Sequence, residues 1–110
     1  MENKLNQLII ANFFGEEAQI NKLQEEIQET IEALYIFLKH PTFENLINLN
    51  NEIRDQLNVC DGLILKRGGN ICEQEAVAEG KINRTIKIIN DIPSNTKDKV
   101  KAYEDRRKHY

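Results

Sequence analysis

The chain has 110 residues, 40% of them hydrophobic, and sets 15 lysines and arginines against 18 acids for a net charge of −3. That size allows one domain with a modest core, and the near balance of charge excludes a basic surface for a nucleic-acid polymer. No apolar run is long enough to span a membrane or is flanked as a signal peptide is, and two cysteines make no disulfide framework; the expectation is a cytoplasmic protein with reduced thiols.

Gly and Pro are scarce while Leu, Ile, Glu, Lys, Gln and Asn dominate, which favours helix throughout. Gly15, His40-Pro41-Thr42, Gly68-Gly69-Asn70 and Pro93 break the chain into helical stretches. A short helix is expected over about 2–13. The second, over 16–39, begins with Glu16 and Glu17, which suit the positive end of a helix dipole. Thr42 can cap a third that ends near Arg67. Asn70 with Glu73 has the layout of a capping box and opens a fourth over 70–90. After Pro93, residues 94–110 form a charged tail or a short helix whose apolar residues are Val100, Ala102, Tyr103 and Tyr110. The predicted fold is all-α: a compact four-helix, bundle-like domain over 1–93 with a central antiparallel hairpin, followed by that C-terminal tail.

The two long helices echo each other. Ile20, Leu23, Ile27, Ile31, Leu34 and Leu38 match Leu46, Leu49, Ile53, Leu57, Cys60 and Ile64, the three-four spacing of a core stripe, and this stripe is expected to make the hairpin and to pack on the fourth helix or on another subunit. A second row pairs Glu26, Glu29, Ala33 and Phe37 with Glu52, Asp55, Val59 and Leu63. If the chain reverses between His40 and Pro41, Glu26 meets Asp55 and Glu29 meets Glu52, about 17 to 22 Å from the turn at 1.5 Å per residue. Glu25, one turn from Glu29, borders the same place. Carboxylates crowded together repel unless a cation joins them, so a hard divalent ion held by oxygen is the first functional expectation. The plain alternative is a set of solvated acids.

Glu25-Glu26-x-x-Glu29 followed by Glu52-x-x-Asp55 resembles the magnesium-binding signature of the MazG-like, all-α nucleoside triphosphate pyrophosphohydrolases, over roughly residues 15–90 and including Lys81-Ile82-Asn83-Arg84-Thr85 on the fourth helix. The resemblance implies Mg²⁺-dependent hydrolysis, with Mn²⁺ as a substitute, of a nucleoside triphosphate between its α and β phosphates to a monophosphate and pyrophosphate. It also implies a homo-oligomer, dimer or tetramer, and a role in controlling or sanitising the nucleotide pool. Glu26, Glu29, Glu52 and Asp55 are the expected metal ligands, and Glu25 the residue that polarises the attacking water. Lys81 and Arg84, neighbours at i+3, are placed to contact phosphate oxygens, with a solvated helix face as their alternative. Lys66 and Arg67 suit the C-terminal dipole of the third helix. Asn83 or Gln19 could read a base or ribose. The competing function is a non-catalytic helical oligomerisation or interaction module whose acids only solubilise it.

His40 at a turn and His109 in the tail do not supply the Glu-x-x-His pairs of a di-iron bundle. Cys60 and Cys72 lack zinc-site spacing, and Gly68-Gly69 has no phosphate-loop lysine; it reads as a turn.

Overall fold

The computed structural model describes residues 2–109, which form five helices: α1 (Glu2–Phe14), α2 (Glu16–Lys39), α3 (Phe43–Lys66), α4 (Ile71–Asp91) and α5 (Lys99–Arg107). The protein is therefore all-α. It divides into two compact units, one up to Ile71 and one from Cys72 onward. Among the described residues no helix is long and apolar enough to cross a membrane.

Local chemistry accounts for the breaks. Gly15 takes φ 87 between α1 and α2, a conformation that side chains with a Cβ rarely adopt. The Thr42 side chain accepts from the Asn45 N–H at 3.1 Å and the Asn45 amide donates to the His40 carbonyl at 2.9 Å, so the α2–α3 turn is tied at both ends. α3 stops at Gly68, φ 82, where the Gly69 N–H reaches back to the Ile64 carbonyl at 2.8 Å and satisfies an otherwise open acceptor. In the C-terminal stretch Asp98 accepts from the Lys101 N–H at 3.0 Å and Arg106 and Arg107 occupy the last turn. With a cap at one end and cations at the other, the charged tail folds as α5.

α2 and α3 pack antiparallel, and of the apolar stripe read from the sequence only Leu23, Leu49, Cys60 and Ile64 are shielded. A continuous shielded row runs along each helix: Gln19, Leu23, Glu26, Thr30, Ala33 and Phe37 on α2, and Asn45, Leu49, Glu52, Gln56, Val59 and Leu63 on α3. Both rows alternate steps of four and three, the repeat that lets two helices interlock. The two rows of one helix lie only about 100° apart around its axis, so period alone does not say which of them meets the neighbouring helix. The shielded row carries Ala33, Thr30 and Val59, which permit close approach. The bulky stripe turns outward: Ile27 and Ile53 remain 40% and 46% exposed, and Ile20, Ile31, Leu34, Leu38, Leu46 and Leu57 are similarly bare.

α1 runs parallel to α3. The contacts climb together: Gln7 Nε2 donates to Asn58 Oδ1 at 3.0 Å, Ala11 is fully buried at Gly62, and Lys66 Nζ donates to Asn12 Oδ1 at 3.2 Å. Gly62 sets the approach, since a Cβ there would lie 3.1 Å from the Gln7 carbonyl oxygen and 3.4 Å from Ala11 Cβ. Gly62→Leu should therefore lower stability by about 1–3 kcal/mol through overpacking, more than the helix-propensity gain of about 1 kcal/mol returns. Urea unfolding checks this; an unchanged midpoint would mean α1 is not held against α3. Arg67 closes the same end with an ion pair to Glu16. Its guanidinium holds the Glu16 carboxyl below the usual carboxylate range, so this contact strengthens the fold at neutral pH and is lost as the acid protonates.

Candidate metal centre

Positions 26 and 29 on α2 and 52 and 55 on α3 arrive at one height because they lie at matched distances from the turn. Carboxylate oxygens of Glu26, Glu52 and Asp55 come within 4.8 Å of one another. Glu26 is 5% exposed, a nearly buried carboxylate in the seam. Its Oε1 accepts from Lys22 Nζ at 3.1 Å, whereas its Oε2 is buried with no hydrogen-bond partner, as is Glu52 Oε2. Thr30, the next seam residue, satisfies itself by donating to the Glu26 backbone carbonyl at 2.8 Å and leaves the carboxylate alone. Withdrawing such oxygens from water costs several kcal/mol unless a cation or donor meets them. One lysine meets one of them.

Glu29 sits beside this group, more exposed. The charge of Glu26 is the chief cause that lifts its carboxyl above the usual carboxylate range; desolvation and contact with Glu52 add to it, and Lys22 works in the opposite direction. Protonated, Glu29 can donate to Glu52; ionised, it repels two neighbours. The metal-free fold thus binds this proton more tightly than the unfolded chain does, and it loses stability as pH rises above the ordinary value of 4.5. Glu29→Gln should raise the melting temperature of the protein in EDTA at neutral pH and flatten its decline as pH rises above 4.5, while weakening Mg²⁺ binding. A variant that melts lower in EDTA would show that repulsion is not what the site stores.

Lys22 is also drawn in: its ammonium is held protonated by Glu26 first, with Glu25 and Glu29 adding, and it lies 3.7 Å from Glu25. Beside the acids a cavity of about 340 Å³ opens between α2 and α3, walled by Glu29, Glu32, Ala33, Asn48, Asn51 and Glu52. Lys22 at i−4 from Glu26, and the amides of Asn48 and Asn51 around Glu52, are site residues that the motif reading passes over; the spacing to the acids is the signal that finds them.

The structure thus brings Glu26, Glu52 and Asp55 together, with Glu29 against them. Glu25 is exposed and faces a groove on the α1 side that it shares with Lys22 and Gln19. Lys81 and Arg84 are exposed on α4, in the C-terminal unit. Lys66 and Arg67 serve Asn12 and Glu16 respectively. Neither Cys60 nor Cys72 is in a disulfide.

Oxygen-only donors, anionic and partly buried, fit a hard divalent cation such as Mg²⁺ or Mn²⁺ better than a soft one. Glu26, Glu52 and Asp55 form an acidic cluster in the seam of a helical hairpin that could hold a metal ion. No protein-family model matches the chain, and no match to it is found among curated proteins or solved structures.

Proposed function

We propose that the protein is a Mg²⁺-dependent nucleoside triphosphate pyrophosphohydrolase of the MazG-like kind, converting a nucleoside triphosphate and water to the monophosphate and pyrophosphate. The observation that carries this reading is the pair of buried carboxylate oxygens without partners, on Glu26 and Glu52, converging with Asp55. A helix pair has no structural use for three such acids at one height, since apolar residues there would hold it better.

In this reading Glu26, Glu29, Glu52 and Asp55 hold Mg²⁺, with Mn²⁺ as a substitute. When bound, the ion neutralises phosphate charge and favours in-line attack at the α phosphorus. Glu25, exposed beside Lys22, takes a proton from the attacking water; the bond from the α phosphorus to its bridging oxygen breaks, and pyrophosphate leaves with that oxygen. Asn48 and Asn51 donate to phosphate oxygens in the neighbouring cavity. The resemblance gives Lys81 and Arg84 a phosphate-binding role, Arg84 with a bidentate grip. Two or more copies assemble through the bare stripe of α2 and α3. The biological role is control or sanitation of the nucleotide pool.

A non-catalytic interaction module accounts for the bare stripe and leaves the buried acids without a purpose. Incubating the pure protein with a panel of triphosphates, with and without Mg²⁺, separates the two. Metal-dependent release of pyrophosphate and monophosphate is expected; no release from any triphosphate at high enzyme concentration would favour the module.

A further inference from the structure

A second polar opening lies two helical turns from the acids, between α1, α2 and α3. It is a narrow cavity of about 90 Å³ walled by Gln7, Ile10, Gln19, Asn58, Val59 and Gly62, and it adjoins a groove of about 420 Å³ that runs past Phe14 to Lys22 and Glu25. Ile10, Gln19 and Val59 wall both. We infer that this cavity receives the base of the nucleotide, and that the base is a single-ring pyrimidine; the inference rests on the reaction proposed above and specifies its substrate.

Three features carry it. The first is an unmet polar group. Gln7 spends its Nε2 on Asn58 Oδ1, and its Oε1 is buried with no donor. Such an acceptor destabilises the fold until something donates to it. Because Asn58 accepts through Oδ1, its amide nitrogen remains a donor, and Gln19, 94% shielded by burial to 6% exposure, adds an amide on the facing helix. A ring that presents an N–H next to a carbonyl satisfies both kinds of group: N3–H with O4 or O2 in uracil and thymine, the N4 amine with N3 or O2 in cytosine.

The second feature is size and wall chemistry. At about 90 Å³ the cavity is smaller than the roughly 150 Å³ that encloses a benzene ring, so a base would sit with one edge inside it, and Ile10, Val59 and the Cβ-less Gly62 give apolar contact for a flat ring. Small and open on one side to the groove, the cavity favours one ring over two fused rings. The third feature is distance. Gln19 and Glu26 are seven residues apart on one helix face, about 10 Å along the axis, with Lys22 between them. That is the reach of a nucleotide from its α-phosphate across the sugar to its base, and the groove past Lys22 and Glu25 is where the sugar would lie.

The experiment uses nucleosides, which have no phosphates, so that base recognition is read apart from metal and chemistry. The amide side-chain NMR signals of Gln7, Gln19 and Asn58 are followed in EDTA while uridine, thymidine, cytidine, adenosine or guanosine is added to millimolar concentration. Pyrimidine nucleosides are expected to shift these signals saturably and purine nucleosides to leave them unmoved. Val59→Phe, which fills the cavity, and Gln7→Leu, which removes the unmet acceptor, should each weaken pyrimidine binding at least tenfold, with the helical circular-dichroism signal retained. Should either variant fail to fold, Asn58→Ala serves in its place.

Purine nucleosides shifting the same signals equally, or no shift with any nucleoside, would overturn the inference. The two readings fail separately. Pyrimidine binding without hydrolysis of any triphosphate keeps the pocket and removes the reaction. Hydrolysis of purine and pyrimidine triphosphates at equal kcat/KM, unaltered by Val59→Phe, keeps the reaction and removes the pocket.

Discussion

Asp55→Asn is expected to leave the α2–α3 hairpin folded and to lower metal-dependent pyrophosphate release at least about a thousandfold, a barrier increase of about 4 kcal/mol. Asp55 is exposed, so its amide is accommodated without a cavity or a clash, yet one of its oxygens lies within 4.8 Å of those of Glu26 and Glu52. The substitution removes a charge from the cation's ligands and leaves the seam packing untouched. Phosphoryl chemistry depends on neutralising and aligning an anionic substrate, and losing both effects together removes most of the rate. Glu26→Gln should be equally inactive while melting no lower in EDTA, because it also deletes a buried charge. Initial rates of pyrophosphate release at saturating Mg²⁺ and circular-dichroism melts check both variants. An Asp55→Asn enzyme as fast as wild type would take Asp55 out of the site and break the convergence that supports the reaction.

The second large effect concerns the bare stripe. Ile27 and Ile53 lie at nearly the same height on adjacent helices and leave 40% and 46% of their surfaces exposed. Fully burying an isoleucine is worth about 1.5–3 kcal/mol, so completing the burial of each recovers about 1 kcal/mol, and six further stripe residues add similar amounts. Soluble monomers rarely carry a contiguous apolar patch above a few hundred Å². The wild-type protein should therefore sediment as a dimer or larger assembly at micromolar concentration. Ile27→Glu combined with Ile53→Glu should reduce it to a monomer with a much lower melting temperature, since two copies would bring four charges into one interface. A monomeric wild type would remove the oligomer, and a double variant that assembles normally would move the interface to another face.

The parts of the fold that were legible in the sequence are those set by local chemistry. Thr42 caps α3, Gly15 and Gly68 stop their helices at positive φ, and the acid pairs meet because their distances from the turn are equal, a matter of counting residues. What period cannot carry is helix rotation. The stronger apolar row was the natural choice for the α2–α3 contact, but a row holding Glu26, Thr30 and Gln56 occupies it instead, and this rotation is what buries the carboxylates. The same limit hid Gln7: nothing in its neighbours in sequence indicates that α1 lies against Gly62 and Asn58. Lys22 was within reach, since its spacing to Glu26 puts it on the acid face. Asp98 was too, three residues ahead of Lys101, yet the charged composition around it left a tail and a short helix equally open.

The acids in the seam have a consequence for how the hairpin finds its alignment. Two rows with a seven-residue repeat can slide past each other by one repeat and still interlock. Sliding α3 by seven residues in one direction would set Glu26 opposite Gly62 and Asp55 opposite Ala33; in the other it would set Glu26 opposite Asn48. Either way the carboxylates are dispersed along the seam, some against apolar neighbours, and no single cation can serve them all. Only the native alignment gathers them where one ion neutralises several at once. The ion would thus act as a registration pin, rejecting misaligned hairpins that the apolar residues alone would tolerate.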